Sequence, residues 1–465
     1  MNYVSTRGGD APVGFRDAVL AGMARDGGLL LPETIPDVSP HLDSWRSLSY
    51  SDLAVRILSL YADLPAAELR TLVRRSYSSF RSPDVTPVVR VGHVHILELH
   101  HGPTLAFKDI ALQLLGNLFE RFLDERAQSL NIVGATSGDT GSAAIHGVRG
   151  KPGIRIFILH PHGRVSKVQE RQMTTVLDDN VFNLAVEGTF DDCQAIVKTL
   201  FNDLPFRDRH ALGAVNSINW ARIVAQVVYY FYGAFRVMDS TGAREVTFSV
   251  PTGNFGDIFA GYLAARMGLP IRRLILATNE NDILARCFNT SVYESRAVRA
   301  TVSPSMDIQA ASNFERYLYY HLGGDTERVR SLMQEFAHSG KFGIGAEGAP
   351  LDGLFCAGAA DTARTLATIR AFYDGHQYLL DPHTAAGVAV GLQKRERNIP
   401  LICLATAHPA KFGDVIRTAL GSDLAHHPLL DAMEGMPARM EVLPASLEAV
   451  RGFVESRLGA AGGKA

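Results

Sequence analysis

The sequence has few cysteines, almost no net charge and no long apolar run. Its four cysteines are widely separated: Cys193, Cys287, Cys356 and Cys403. This spacing excludes a CxxC zinc pattern and a disulfide framework, so we expect a protein of the reducing cytoplasm. A formal net charge of −2 argues against a surface that binds nucleic acid. The most apolar stretch, residues 223–235, is interrupted by Gln226 and Gly233, which predicts a buried helix and no membrane span.

A metal centre is not expected either. The segment His160-Pro161-His162-Gly163 brings two histidines together, but neither an HExxH pattern nor a carboxylate at ligand spacing accompanies them. Isolated histidines near loops are usually structural, so no metal ligand is assigned.

What the chain does have is the composition of a globular protein, with 46% apolar and 20% charged residues. Short apolar strand patterns alternate with amphipathic helix patterns, which predicts a doubly wound α/β fold. The length predicts more than one domain. We expect an N-terminal helical element at residues 1–95, a large domain at 96–130 and 225–465, and a smaller, mobile domain at 131–224.

Residues 101–109, with the sequence HGPTLAFKD, place a lysine at the mouth of a predicted helix. We call them the lysine loop. A strand pattern precedes the loop, Gly102-Pro103 predicts a turn, and apolar residues with helical spacing follow. The helix dipole and partial desolvation both disfavour a charged Lys108, and a partly neutral amine is suited to Schiff-base chemistry. Taken alone, the loop favours a surface lysine paired with Asp109, but two downstream loops change that balance.

The first of these is the Thr136 loop, residues 134–141, with the sequence GATSGDTG. It lies between a short strand pattern and a helix start. Hydroxyls and backbone amides at such a turn form a site for a carboxylate or phosphate. The same residues would also serve as ordinary helix caps, and the loop alone does not decide between the two.

The second is the Asn254 loop, residues 252–257, with the sequence TGNFGD between a strand pattern and a helix pattern. Its glycines allow backbone amides to approach an anion closely. It is neither a Walker loop nor a full dinucleotide fingerprint, so ATP and NAD are not supported. Because Asp257 carries the same sign of charge as an anion, we expect its side chain to cap the helix or to orient a substrate.

These three loops, with residues 1–9, 216–222 and 404–409, resemble in order the motifs of the threonine synthase family of the bacterial and fungal type. Members of that family are pyridoxal-phosphate enzymes of the tryptophan-synthase-like fold, fold type II. The resemblance implies that fold here, with large and small α/β domains and an N-terminal helical element.

The resemblance also implies roles for individual residues. It implies that pyridoxal 5'-phosphate forms a Schiff base with Lys108, which is also the catalytic residue. It implies cofactor binding by Lys108 and the following residues: Gly253, Asn254, Phe255, Gly256, Asp257 and Thr406. It implies substrate binding by two further segments: Thr136, Ser137, Asp139, Thr140, Asn216, Ser217 and Arg222. Without the resemblance, Thr406 would be a β-branched residue that ends a strand.

The implied reaction converts O-phospho-L-homoserine and water to L-threonine and phosphate, the last step of threonine biosynthesis, by γ-elimination and β-addition. A hydroxyl at Thr406 would moderate the electron sink that an aspartate would strengthen. Closure of the small domain would admit water only as a late reactant.

Two alternatives remain open from the sequence. One is a serine/threonine dehydratase or a phospho-lyase of the same fold, which would differ in its product. The other is a non-catalytic metabolite-binding protein, against which the intact Lys108 weighs. The sequence also leaves the oligomeric state open between monomer and homodimer.

Overall fold

The computed structural model describes residues 1–215, 217–346 and 348–459. The strands are β1 (Tyr3–Ser5), β2 (Leu30–Pro32), β3 (Val88–Val91), β4 (Val94–Glu98), β5 (Leu130–Ala135), β6 (Ile154–Pro161), β7 (Val181–Glu187), β8 (Leu212–Gly213), β9 (Val246–Pro251), β10 (Ile271–Thr278), β11 (Val292–Glu294), β12 (Lys341–Gly343), β13 (Phe355–Ala359), β14 (Leu401–Ala405) and β15 (Glu441–Pro444).

Helices separate most of these strands. They are α1 (Phe15–Ala21), α2 (Leu42–Trp45), α3 (Tyr50–Leu58), α4 (Ala66–Tyr77), α5 (Lys108–Arg126), α6 (Asp139–Val148), α7 (Lys167–Thr174), α8 (Phe190–Asn202), α9 (Leu204–Arg209), α10 (Trp220–Thr241), α11 (Gly256–Arg266), α12 (Ile283–Thr290), α13 (Phe314–His321), α14 (Thr326–Ser339), α15 (Thr362–His376), α16 (Pro382–Lys394), α17 (Gly413–Leu420), α18 (Pro428–Asp431) and α19 (Leu447–Gly459). Short 3-10 turns lie at Ser39–His41, Pro304–Met306 and Pro409–Phe412.

The chain divides into two compact units. The first unit comprises Met1–Val19, Met23–Ala111 and Ser217–His426. Its main sheet has the strand order β13-β10-β9-β14-β4-β3, parallel except for the antiparallel edge strand β3. Every residue of β9 is buried, as expected for a central strand with both faces covered by helices.

Three neighbouring strands of this sheet end at one level. Ile402 of β14 is aligned with His95 of β4 on one side and with Phe248 of β9 on the other. Each strand ends three residues later. Because parallel strands present their carboxyl ends at one edge, the loops that follow β4, β9 and β14 emerge there together.

The N-terminal element, except Leu20–Gly22, belongs to the first unit and packs on the long helix α10. The ring of Tyr50 in α3 meets that of Tyr232 edge to face, with centroids 5.4 Å apart. The ring of Tyr61 is tilted by 59° against that of Trp220, with centroids 5.8 Å apart. The predicted buried helix at residues 223–235 is therefore confirmed, since α10 is buried along most of its length. Within the described ranges, no helix has the length and hydropathy needed to cross a membrane.

The second unit comprises Leu20–Gly22, Leu112–Asn216 and His427–Ala465. Its sheet has the order β15-β7-β6-β5-β8, and all of its pairings are parallel. One face of the sheet carries an apolar core that includes Phe157 and Leu184. Together the two sheets confirm the predicted doubly wound α/β class.

These units differ from the boundaries expected from the sequence. We expected residues 225–465 to form one domain with 96–130, but the C-terminal part from His427 onward belongs to the second unit. The physical reason is that β15 pairs with β7, and that Val450 and Val454 of α19 are buried in the core of that unit. The central segment of the second unit also begins earlier than residue 131, at Leu112 within α5.

Within the second unit, the backbones of α5 and α6 are in direct contact. A Cβ added to Gly116 would overlap the carbonyl oxygen of Gly147, and one added to Gly147 would lie 2.5 Å from the carbonyl oxygen of Leu112. Only glycine allows this approach without a backbone shift.

We therefore expect Gly116→Ala to lower the free energy of unfolding by about 1–3 kcal/mol, because the methyl group forces the helices apart. Gly452→Ala is the matched control, since Gly452 lies in α19 with no atom within 4 Å of an added Cβ. That change should stabilise the protein by roughly 0.5–1 kcal/mol through helix propensity. Denaturant titration of both variants measures the difference, and equal midpoints would contradict the close approach.

Candidate active site

The lysine loop leads from the end of β4 into α5, and Lys108 is the first residue of that helix. The predicted position at a helix mouth is confirmed. Lys108 is half-buried, and its Nζ stands 5.3 Å from the centroid of the Phe107 ring. Leu105 adopts φ +62°, which turns the chain so that the lysine enters the helix.

The lysine loop is hydrogen-bonded to the segment that follows β14. The Phe107 amide donates to the Thr406 carbonyl at 2.8 Å, and the His408 amide donates to the Leu105 carbonyl at 3.0 Å. Ala106 and Ala407 form an isolated antiparallel bridge between these two bonds. Lys108 and Thr406, which are far apart in sequence, are thus fixed on adjacent segments.

Asp109 is buried and is not a surface partner of Lys108. Its carboxylate accepts hydrogen bonds from the Thr104 amide at 2.8 Å and the Thr104 hydroxyl at 2.7 Å. Burial raises the pKa of Asp109 to about 6, although the Thr104 hydrogen bonds and the Lys411 ammonium oppose this rise. Lys411 Nζ donates to the Thr104 carbonyl at 2.8 Å. The interpretation of a solvated lysine–aspartate pair is therefore wrong.

The Asn254 loop connects β9 to α11. Phe255 adopts φ +68°, and the Asn254 side chain accepts a hydrogen bond from the Gly256 amide at 3.0 Å. A Cβ added to Gly253 would lie 2.7 Å from the Ser305 carbonyl oxygen, so the neighbouring segment requires glycine there. The loop ends at the amino terminus of an 11-residue helix, where backbone amides and the helix dipole favour an anion.

Asp257 has a different place from the one expected. Its carboxylate accepts hydrogen bonds from the hydroxyls of Tyr229 at 2.6 Å and Tyr230 at 2.9 Å. Burial raises its pKa to about 6, against the effect of these two bonds. The N-cap of α11 is Phe255, without a side-chain cap. The carboxylate therefore holds α11 against α10 and does not cap the helix.

Residues 217–222 adjoin the Asn254 loop. Asn216 lies outside the described residues. Ser217 Oγ is 3.1 Å from Ser312 Oγ, and the Ser217 carbonyl accepts from Asn313 Nδ2 at 3.2 Å. The Asn313 amide donates to the Asn254 carbonyl at 3.0 Å. One asparagine therefore joins the predicted substrate segment to the predicted cofactor loop.

Arg222 is a buried cation that has no ion-pair partner among the described residues. It lies in the first turn of α10 with 3% of its surface exposed. Within the described part of the chain, its Nε and Nη1 atoms have no hydrogen-bond partner. Burial lowers the pKa of Arg222 to about 10. A buried guanidinium in this condition is costly unless an anion joins it, so this position fits a ligand carboxylate or phosphate.

The Thr136 loop lies in the second unit, between β5 and α6. The Thr136 hydroxyl accepts hydrogen bonds from the amides of Gly138 at 3.0 Å and Gly141 at 2.8 Å. Asp139 Oδ1 accepts from Gln169 Nε2 at 2.9 Å, and both side chains are buried. Thr136 and Asp139 thus shape the loop, whereas Ser137 is exposed and Thr140 is half-buried.

Several supporting residues were missed by the sequence analysis. Lys411 is one, and the start of α16 is another, where Asp381, His383 and Thr384 are all buried. The Asp-Pro pair at 381–382 is a recognisable helix-start signal. It predicts the cap, but it gives no indication of which distant residues the side chains contact.

Family models match most of the chain. "Threonine synthase N terminus" matches residues 2–77, "Pyridoxal-phosphate dependent enzyme" matches 80–361, and "Threonine synthase, C-terminal" matches 384–454. The threonine synthase of Methylobacillus glycogenes is 45% identical, with 98% of this chain and 99% of that protein covered. That of Pseudomonas aeruginosa is also 45% identical, with 98% of each covered.

Solved structures agree with these matches. A threonine synthase from Brucella melitensis with bound pyridoxal phosphate is 48% identical and has a TM-score of 0.94, covering 98% of this chain and 99% of that one. The yeast threonine synthase structure is 44% identical with a TM-score of 0.93, covering 99% of each chain. This chain therefore belongs to the threonine synthase family of fold type II, lyases whose cofactor is pyridoxal phosphate.

Proposed function

We propose that this protein converts O-phospho-L-homoserine and water to L-threonine and phosphate. The observation that carries the proposal is the buried Arg222 guanidinium, on a segment that adjoins the Asn254 loop. Two of its nitrogens have no hydrogen-bond partner in the described part of the chain. The loop suits the cofactor phosphate, and Arg222 then requires a second anion. An anionic amino acid with a phosphate group meets that requirement.

The residues present fit the cofactor. The Asn254 loop would hold its phosphate through backbone amides, and Thr406 would face its ring nitrogen from the end of β14. Lys108, fixed beside Thr406 by the Phe107–Thr406 hydrogen bond, would anchor it covalently. When bound, pyridoxal phosphate supplies an electron sink that stabilises negative charge at the substrate α-carbon.

Lys108 is the proposed base. Its amine, once released from its covalent role, takes the proton from the α-carbon of the substrate. Loss of a β-proton then lets phosphate leave with the electron pair of the γ-carbon–oxygen bond. A proton is then added at the γ-carbon, water adds its oxygen at the β-carbon, and a proton returns to the α-carbon, which gives threonine. The proton that the added water gives up balances the protonation of the released phosphate.

Thr406 would set how strongly the pyridine ring of bound pyridoxal phosphate withdraws electrons. A hydroxyl does not stabilise a protonated ring nitrogen as a carboxylate would, so the sink is moderated. This moderation limits side reactions of the carbanion and suits a sequence of several proton transfers.

The Thr136 loop is the proposed site for the substrate carboxylate. The first amides of α6 and the hydroxyls of Ser137 and Thr140 would bind it, while Thr136 and Asp139 maintain the loop through the bonds described above.

Product analysis tests the reaction. We expect O-phospho-L-homoserine to give threonine and inorganic phosphate in equal amounts. Phosphate accompanied by a keto acid, with no threonine, would favour a phospho-lyase or dehydratase and contradict the proposal. The amino acid is measured by chromatography and the phosphate by a colorimetric assay.

The cofactor is expected on Lys108. Borohydride reduction of the purified protein followed by peptide mapping should place the pyridoxyl group there. Lys108→Ala should lose turnover by several orders of magnitude, because it removes both anchor and base. Lys198→Ala, at an exposed position, is the matched control and should behave as the parent protein. A label on a different lysine would refute the assignment.

Arg222 is expected to act on the substrate. Arg222→Ala should leave the visible absorption of the bound cofactor unchanged and weaken substrate binding roughly tenfold to a hundredfold, since a charged hydrogen bond contributes about 1.5–3 kcal/mol. The apoprotein should melt no lower than the parent, because an unpaired buried charge has been removed. Arg222→Lys, which keeps the charge without the planar fork, should recover part of the affinity. Loss of cofactor with intact substrate affinity would show that the two anion sites are exchanged.

A further inference from the structure

The start of α16 carries a group of buried polar side chains. Asp381 is the N-cap and accepts hydrogen bonds from the amides of His383 at 2.9 Å and Thr384 at 3.3 Å. Asp381, His383 and Thr384 are exposed by 1%, 4% and 1%. A cap requires only the carboxylate, so the burial of the other two side chains needs its own explanation.

His383 connects Asp381 to the segment behind the Asn254 loop. Its Nδ1 is 2.9 Å from Asp381 Oδ1, and its Nε2 is 3.2 Å from the Ser305 amide. Because a backbone amide can only donate, Nε2 accepts and Nδ1 carries the proton, which it donates to Asp381. Ser305 in turn bounds the loop, since its carbonyl would meet a Cβ on Gly253 at 2.7 Å.

Thr384 connects the same carboxylate to the segment after β14. Its hydroxyl donates to Asp381 Oδ2 and accepts from the Thr406 amide at 3.3 Å. The Thr406 carbonyl accepts from the Phe107 amide at 2.8 Å, one residue before Lys108. The two oxygens of Asp381 thus lie at the junction of two arms, one toward Ser305 and one toward Thr406.

We propose that Asp381, His383 and Thr384 are positioning residues that together set the distance between the Asn254 loop and Thr406. We call them the Asp381 bracket. This proposal rests on the proposed function, in which the loop holds the cofactor phosphate and Thr406 faces the ring nitrogen. The bracket would hold the phosphate and the ring nitrogen of the cofactor at fixed positions relative to Lys108.

The chemistry of the bracket suits this role. One carboxylate receives four donors, namely the amides of His383 and Thr384, His383 Nδ1 and Thr384 Oγ1. Hydrogen bonds to an ionised acceptor are stronger and more directional than neutral ones. Because the whole arrangement is buried, water cannot replace a lost partner. Loss of the His383 or Thr384 contact therefore displaces Ser305 or Thr406, respectively.

The Thr384 arm is tested with an isosteric pair. Thr384→Val removes the hydroxyl and keeps the shape, whereas Thr384→Ser keeps the hydroxyl. We expect Thr384→Val to shift the visible absorption band of the holoenzyme and to lower kcat roughly tenfold or more, with KM within about twofold, because Thr406 loses its anchor. Thr384→Ser should restore both the spectrum and kcat.

Thr247→Val is the matched control elsewhere in the first unit. Thr247 is buried in β9, and its hydroxyl has no hydrogen-bond partner among the described residues. This variant should keep the parent's spectrum and kinetics and melt at the same temperature or higher.

The His383 arm is tested with two amides. Gln places an acceptor near the position of Nε2, and Asn places a donor near that of Nδ1. We expect His383→Asn to weaken cofactor binding to the apoprotein more than His383→Gln does, since the Ser305 amide then loses its acceptor. Fluorescence titration of apoprotein with pyridoxal phosphate measures the two affinities.

If these three residues served only to cap α16, the variants would behave differently. If Thr384→Val and both His383 variants lower only the melting temperature of the apoprotein, with unchanged spectrum, cofactor affinity and kcat, the bracket is overturned. The test of the bracket can fail or succeed independently of the proposed reaction. A parent protein that forms no threonine, but whose cofactor spectrum responds to Thr384→Val and recovers in Thr384→Ser, would refute the reaction and retain the bracket.

Discussion

The alignment of β4, β14 and β9 is the constraint on which the rest of the site depends. Strands that are parallel, adjacent and level at their carboxyl ends deliver three loops to one edge of the sheet. The loops are then fixed by bonds between them, such as the Phe107 amide to the Thr406 carbonyl. A slip of one residue in β14 would turn its side chains to the opposite face and move Thr406 away from the lysine loop.

The parts of the site that follow from local pattern could be predicted from the sequence. Lys108 at a helix mouth and the Asn254 loop between a strand and a helix both rest on turn residues and periodicity over a short span, and the structure confirms these positions. The grouping of the motifs came from resemblance, because no local pattern indicates that residues 101–109 and 404–409 are neighbours.

What the sequence analysis missed depends on contacts between distant segments. Asp257 was expected to cap the helix or to orient a substrate, because its charge has the same sign as that of an anion, yet two tyrosines from α10 donate hydrogen bonds to its carboxylate. The pairing of β15 with the sheet of the second unit also depends on a contact between distant segments. β15 is a short strand paired with β7, more than 250 residues earlier in the chain, so periodicity could not assign it to a domain.

The buried charged residues of the candidate site differ in whether the protein itself supplies them with a partner. The ammonium of Lys411, from the segment after β14, stabilises the Asp109 carboxylate of the lysine loop, whereas Arg222 has no hydrogen-bond partner for Nε and Nη1 among the described residues. The free energy cost of Arg222 is therefore borne by the unliganded fold and is offset only when an anion binds. A ligand that binds the folded state alone shifts the unfolding equilibrium toward that state. In the proposed function, Arg222 therefore lowers the stability of the unliganded fold and gains a partner when the substrate binds, as expected where function and not packing determines the side chain.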